Sequence, residues 1–89
     1  MAMDDNAIRA GVIATICEVA PEVEPDRLVG AGPLRQQVDL DSMDWLNVII
    51  GWHQRFGVEI PEADYAKLTS VDAVVAYIAQ RAPTQKSQR

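Results

Sequence analysis

Proline and glycine cut this 89-residue chain into pieces that leave room only for short helices. Pro21, Pro25, Gly30, Gly32 and Pro33 crowd residues 20–40, Gly57 and Pro61 follow, and Pro83 comes near the end. Such residues punctuate regular structure because one lacks an N–H and the other lacks a side chain. Between the breaks the apolar residues recur at helical spacing, and no segment alternates with a period of two. An all-α fold with one small core is therefore expected.

The first helix is expected over residues 4–19. Asp4, Asp5 and Asn6 offer caps and negative charge at its positive end. Ile8, Val12, Ile13, Ile16 and Val19 form its apolar stripe. Cys17 lies beside that stripe and reads as a small packing group. Residues 20–40 read as a long loop with a short helical turn near Pro25 to Val29, pinned by Leu28, Val29, Leu34, Val38 and Leu40. A helix over 42–56 follows, with Gly57 as its C-cap. Val58 to Pro61 is an extended link. Pro61, Glu62 and Asp64 open a short helix to about Lys67, and Thr69 or Ser70 caps a last one over 71–81. Val71, Val74, Val75, Ile78 and Ala82 are its core stripe. The reading is a four-helix bundle, three main helices and one short one, in a single domain over 1–82. Residues 83–89 are polar and read as a flexible tail.

The 42–56 helix carries more apolar residues than one stripe needs. At about 100° per residue, Trp45, Val48, Ile49, Trp52 and Phe56 fall on one arc roughly 100° wide. That arc is the natural core face. Met43, Leu46 and Ile50 fall on a second arc about 120° away. Either the 20–40 loop covers it, or it stays exposed for a partner or a bound chain. Gly51 in mid-helix costs roughly 1 kcal/mol against alanine and allows a close helix approach.

Composition excludes several functions. One cysteine and one histidine, His53, leave no disulfide framework, no C-x-x-C pair and no multi-histidine metal site. Residues 1–79 hold 13 acids against five bases, net −8, and residues 80–89 hold three bases. An acidic body does not bind nucleic acid. It is suited to solubility or to basic partner surfaces. No apolar run approaches the roughly 20 residues that span a bilayer. The N-terminus has no basic segment followed by an apolar run, so no signal peptide is expected and a cytoplasmic location is.

Asp41-Ser42-Met43-Asp44 stands where the loop becomes a helix. By itself this reads as ordinary capping, with Asp41 or Ser42 as the cap and Asp44 adding first-turn charge. No histidine is near in sequence to serve Ser42 as a base, and no G-x-S-x-G elbow surrounds it, which weighs against a hydrolase. The wider pattern is more specific. Leu40-Asp41-Ser42-Met43-Asp44, then Phe56-Gly57-Val58-Glu59-Ile60-Pro61, then Leu68-Thr69-Ser70-Val71 and Ala76-Tyr77-Ile78 together resemble the acyl carrier protein family over about residues 38–80.

The resemblance implies a non-enzymatic carrier. Ser42 would receive 4′-phosphopantetheine from coenzyme A as a phosphodiester made by a phosphopantetheinyl transferase, with Asp41 as its motif neighbour. The arm would carry an acyl group as a thioester. Partners would be that transferase and acyl-loading, acyl-transfer or synthase enzymes, approached by a monomer through Met43, Asp44, Leu46 and Ile50. No metal is implied. Two departures stand out: Asp39 occupies a position that is often glycine in the family, and the 42–56 helix has no acid after Asp44. A specialised carrier in a lipid or secondary-metabolite pathway is therefore expected. An aminoacyl or peptidyl carrier and an unmodified helical interaction module are the alternatives.

Overall fold

A computed structural model describes residues 4–28, 30–38 and 40–81. The expected tail over 83–89, and Val29, Asp39 and Ala82, lie outside the described residues. Among those described there are four α-helices and no strands: α1 (Asp5–Val19), α2 (Leu34–Gln37), α3 (Ser42–Phe56) and α4 (Val71–Arg81). Two short 3-10 segments, Pro25–Arg27 and Glu62–Lys67, sit in the connections.

The helix ends follow local chemistry. Asp4 caps α1 by accepting the Ala7 amide at 2.7 Å. Ser70 accepts the Ala73 amide at 3.1 Å and so caps α4. Gly57 ends α3 in the left-handed region, at φ 66°, where a side chain would be strained. The short turn at Pro25–Arg27 matches expectation. Helix α2 was not expected: it spans one turn of four residues, too short to display a period, and it starts directly after Pro33.

Helix α1 packs on both α3 and α4 and is the centre of the bundle. Its Ile8, Val12 and Ile16 are buried. They meet Trp45, Val48, Ile49, Trp52 and Phe56 of α3 and Val71, Val74, Val75, Tyr77 and Ile78 of α4 in one core. The wholly buried Trp52 donates its indole N–H to the Val12 carbonyl at 3.1 Å, which satisfies the only polar atom of its side chain. Trp45 meets Trp52 edge to face at 5.9 Å. A Cβ on Gly51 would come within 2.6 Å of Thr15 Cγ2, so glycine there permits the close approach of α3 to α1.

The long connection is anchored as well as pinned by apolar groups. Leu34 and Val38 are buried, and Leu28 and Leu40 are partly so. The Leu34 amide donates to the Thr69 carbonyl at 2.8 Å, and the Asp72 amide donates to the Gly30 carbonyl at 2.9 Å. Both bonds fix the connection to the start of α4. Ion pairs Arg9–Asp72 and Arg55–Glu18, each 2.6 Å, cross from α1 to α4 and α3. Exposed pairs of this kind contribute about 0–1 kcal/mol each.

Candidate functional site

The first turn of α3 places Ser42 at the surface. Asp41 is extended, at φ −78° and ψ 178°, and its carboxylate accepts the Asp44 amide at 2.8 Å. Asp41 is therefore the cap, and Ser42 is the first helical residue with its hydroxyl free of that duty. Between the two caps that the sequence left open, the structure selects Asp41. Ser42, Asp41 and Met43 are exposed and Asp44 is half-buried. Apart from the amides that Asp41 and its carbonyl accept, the N–H groups of this turn have no intrahelical acceptor. With the helix dipole they favour an anion next to Ser42. A phosphodiester on this hydroxyl would fit: nothing buries the oxygen, and its surroundings tolerate negative charge.

Below the turn, Leu40 and Trp45 bracket Ser42 in sequence and line an apolar crevice together with Ile16, Leu34 and Val38. The crevice is closed, with no room for a water molecule. Beside it, a cleft of about 280 Å³ runs over Trp45 between Pro33 and Gln36 on one side and Tyr65 to Thr69 on the other.

The second arc of α3 is open. Met43 is 70% exposed, Leu46 41% and Ile50 47%, and these are the exposed large hydrophobic residues among those described. The 20–40 connection leaves this face uncovered. All five residues of the first arc are buried. Thus Ser42, Met43, Leu46 and Ile50 share one solvent-facing side of one helix, while Asp41 and Asp44 close its N-terminal end.

The remaining reactive groups stand apart from this face or lack partners for catalysis. Cys17 is half-buried on α1, its Sγ 3.6 Å from the Val23 carbonyl, and burial pushes its thiol above the ordinary value. It is a poor nucleophile at neutral pH. His53 Nδ1 is hydrogen-bonded to the Val58 carbonyl at 2.7 Å, so the ring helps fix the turn after α3. Among the described residues no cluster of His, Cys, Asp and Glu could hold a metal ion, and no helix is long and apolar enough to cross a membrane.

Sequence reasoning missed one polar cluster. Tyr77, on the buried side of α4, donates its hydroxyl to Asp64 Oδ2 at 2.5 Å, across to the 3-10 segment. Lys67 and Arg81 also reach Asp64, at 3.2 and 3.9 Å. The period of α4 places Tyr77 next to Ile78, and that was the available signal.

The chain is similar to several known proteins. The family described as a phosphopantetheine attachment site matches residues 10–78. The meromycolate extension acyl carrier protein of Mycolicibacterium aurum is 33% identical over 78 residues, 88% of this chain and 79% of that protein. The acyl carrier protein of Akkermansia muciniphila is 32% identical over 76 residues, 85% of this chain and 94% of that one. A solution structure from Anaplasma phagocytophilum, named a "putative acyl carrier protein", superposes with a TM-score of 0.77 at 29% identity, covering 90% of this chain and 93% of that one.

Proposed function

The chain belongs to the acyl carrier protein family, and from that premise we propose that Ser42 bears its phosphopantetheine arm and that Met43, Leu46 and Ile50 form the face that partner enzymes meet. Family members carry acyl groups on phosphopantetheine rather than catalyse a reaction. They are modified by a phosphopantetheinyl transferase and serve acyl-transfer and synthase enzymes.

The observation that carries the assignment is the position of Ser42: an exposed hydroxyl at the first residue of α3, beside a cap that Asp41 supplies alone. In the modification, the Ser42 Oγ–phosphorus bond forms as coenzyme A loses its phosphopantetheinyl half and releases adenosine 3′,5′-bisphosphate. The serine proton passes to the transferase. What this chain contributes is the presentation of the hydroxyl and a helix start that tolerates the phosphate charge. When bound, the arm supplies the thiol that holds the acyl group as a thioester.

The partner face is apolar. No acid stands on α3 after Asp44, so contact over Leu46 and Ile50 rests on burial of hydrocarbon rather than on charge pairing. Asp41 and Asp44 would meet a basic group close to the arm. This composition favours a dedicated partner and a specialised pathway. The likeness to a meromycolate extension carrier makes a lipid pathway the preferred setting. The carrier acts as a cytoplasmic monomer in this reading.

Peptide mapping tests the site. After incubation with coenzyme A and a broadly tolerant transferase, trypsin cleavage after Arg35 and Arg55 yields a 36–55 peptide whose only serine is Ser42. The added group is expected on that peptide. Its appearance on a peptide holding Ser70 or Ser87 would refute the assignment.

A further inference from the structure

The 3-10 segment Glu62–Lys67 has no buried residue. Its flanks are anchored instead: Val58 before it is 1% exposed and Leu68 after it is 2% exposed. Between these anchors only Ile60 and Tyr65 pack partly against the core. Tyr65 separates two clefts. One is the 280 Å³ cleft over Trp45. The other, about 220 Å³, is lined by Ile49, Ile50, His53, Glu59, Ile60 and Tyr65. A segment with so little apolar burial opens locally far more easily than the helices around it. What fastens it to the body is polar: the Tyr77 hydroxyl on Asp64 at 2.5 Å, with Arg81 of α4 at 3.9 Å.

We propose that the Asp64–Tyr77 hydrogen bond is a latch that holds the 62–67 segment shut against α4, and that its release lets this segment open by local unfolding, its own 3-10 turns coming apart with it. Opening removes Tyr65 from between the two clefts, joins them, and uncovers Trp45 and Ile49 on the helix that starts at Ser42. The latch belongs to the bare chain and does not depend on Ser42 being the modified residue.

The parts of the latch are matched. Tyr77 is 6% exposed, so its hydroxyl has Asp64 as its partner in place of bulk water. The Arg81 guanidinium lies 3.9 Å above the Tyr77 ring and also faces Asp64, which holds both ends of the bond in place. Among the described residues the charged and titratable groups around Asp64 are Tyr77 and Arg81 from α4 and Lys67 from its own segment. The Tyr77 hydroxyl first, then Lys67, hold the Asp64 carboxyl below its ordinary value. The closed form therefore gains from ionised Asp64 above that ordinary value, and loses the gain as pH falls through the lowered one. Burial first, then the bond to Asp64, push the Tyr77 phenol above its ordinary value. That gain is present below the ordinary phenol value and is lost as pH rises through the raised one. The latch is shut across the neutral range and opens toward both extremes.

Amide hydrogen exchange read by NMR on the full chain tests this. The reporters are the Asp64 amide, bonded to the Pro61 carbonyl, and the Leu68 amide, bonded to the Tyr65 carbonyl. Tyr77→Phe keeps the ring and its Arg81 contact and removes only the hydroxyl. Exchange at both amides should quicken roughly three- to tenfold, the loss expected for one hydrogen bond, while Val12 and Ile16 of α1 keep their rates. Asp64→Ala, on the outer side of the latch, removes the acceptor, should speed the Leu68 amide, and supplies the reading if Tyr77→Phe does not fold. Wild-type rates at these reporter amides in the variants would overturn the latch. So would an equal acceleration in α1, which would mean that the segment opens only with the whole domain.

Discussion

At the scale of single residues, capping and the proposed attachment are divided between neighbours. Asp41 satisfies the Asp44 amide and Ser42 keeps a free hydroxyl, so the two side chains can be removed independently. Asp41→Ala should cost about 1 kcal/mol in a denaturant melt, the usual loss for a helix cap. Ser42→Ala should fall within about 0.5 kcal/mol of wild type, as an exposed position without that bond does. Equal losses for both would mean that the cap is shared. The tetrapeptide shows in sequence that one of the two residues caps. It does not show which, because an aspartate and a serine can each accept the same kind of amide bond and only the backbone angles at Asp41 decide. Gly51 is legible in a similar way: its mid-helix position hints at close packing, and the structure names Thr15 as the neighbour. Gly51→Ala forces its methyl against Thr15 Cγ2, so a loss of about 1–3 kcal/mol is expected despite the better helix propensity of alanine.

At the scale of elements, α3 has one buried apolar face and one exposed one. The Trp45, Val48, Ile49, Trp52 and Phe56 arc was readable from spacing because a rigid 3.6-residue period converts sequence position into direction. Whether the Met43, Leu46 and Ile50 arc was covered depended on where residues 20–40 run. That path is set by distant bonds, such as Leu34 to Thr69 and Asp72 to Gly30, which no local pattern encodes. Helix α2 was missed for a related reason: four residues held by an anchor to α4 leave no periodic trace. The two faces of α3 should separate by experiment. Leu46→Ala with Ile50→Ala should change stability by under about 1 kcal/mol and slow turnover with partner enzymes. Ile49→Ala, one residue away on the buried arc, should cost about 2–5 kcal/mol. A core-sized loss for the double variant would remove the partner face.

At the scale of the whole molecule, the fold holds the Ser42 hydroxyl, the proposed attachment point, and the apolar strip beside it at the surface. Helix α1 locks α3 through Trp52 to Val12 and through Thr15 against Gly51, and the start of α4 ties down the long connection that leads into Ser42. The bundle, its main helices and the candidate serine were legible because each rests on local periods and on a motif at fixed spacing. The Asp64–Tyr77 contact was not, since it joins two elements 13 residues apart through side chains alone. Intact mass tests the central claim most directly. The wild-type chain and Ser42→Ala are each incubated with coenzyme A and a broadly tolerant phosphopantetheinyl transferase. The wild type should gain the mass of one phosphopantetheinyl group and Ser42→Ala should gain none. An unmodified wild type, or a Ser42→Ala variant that still takes the group, would contradict the account.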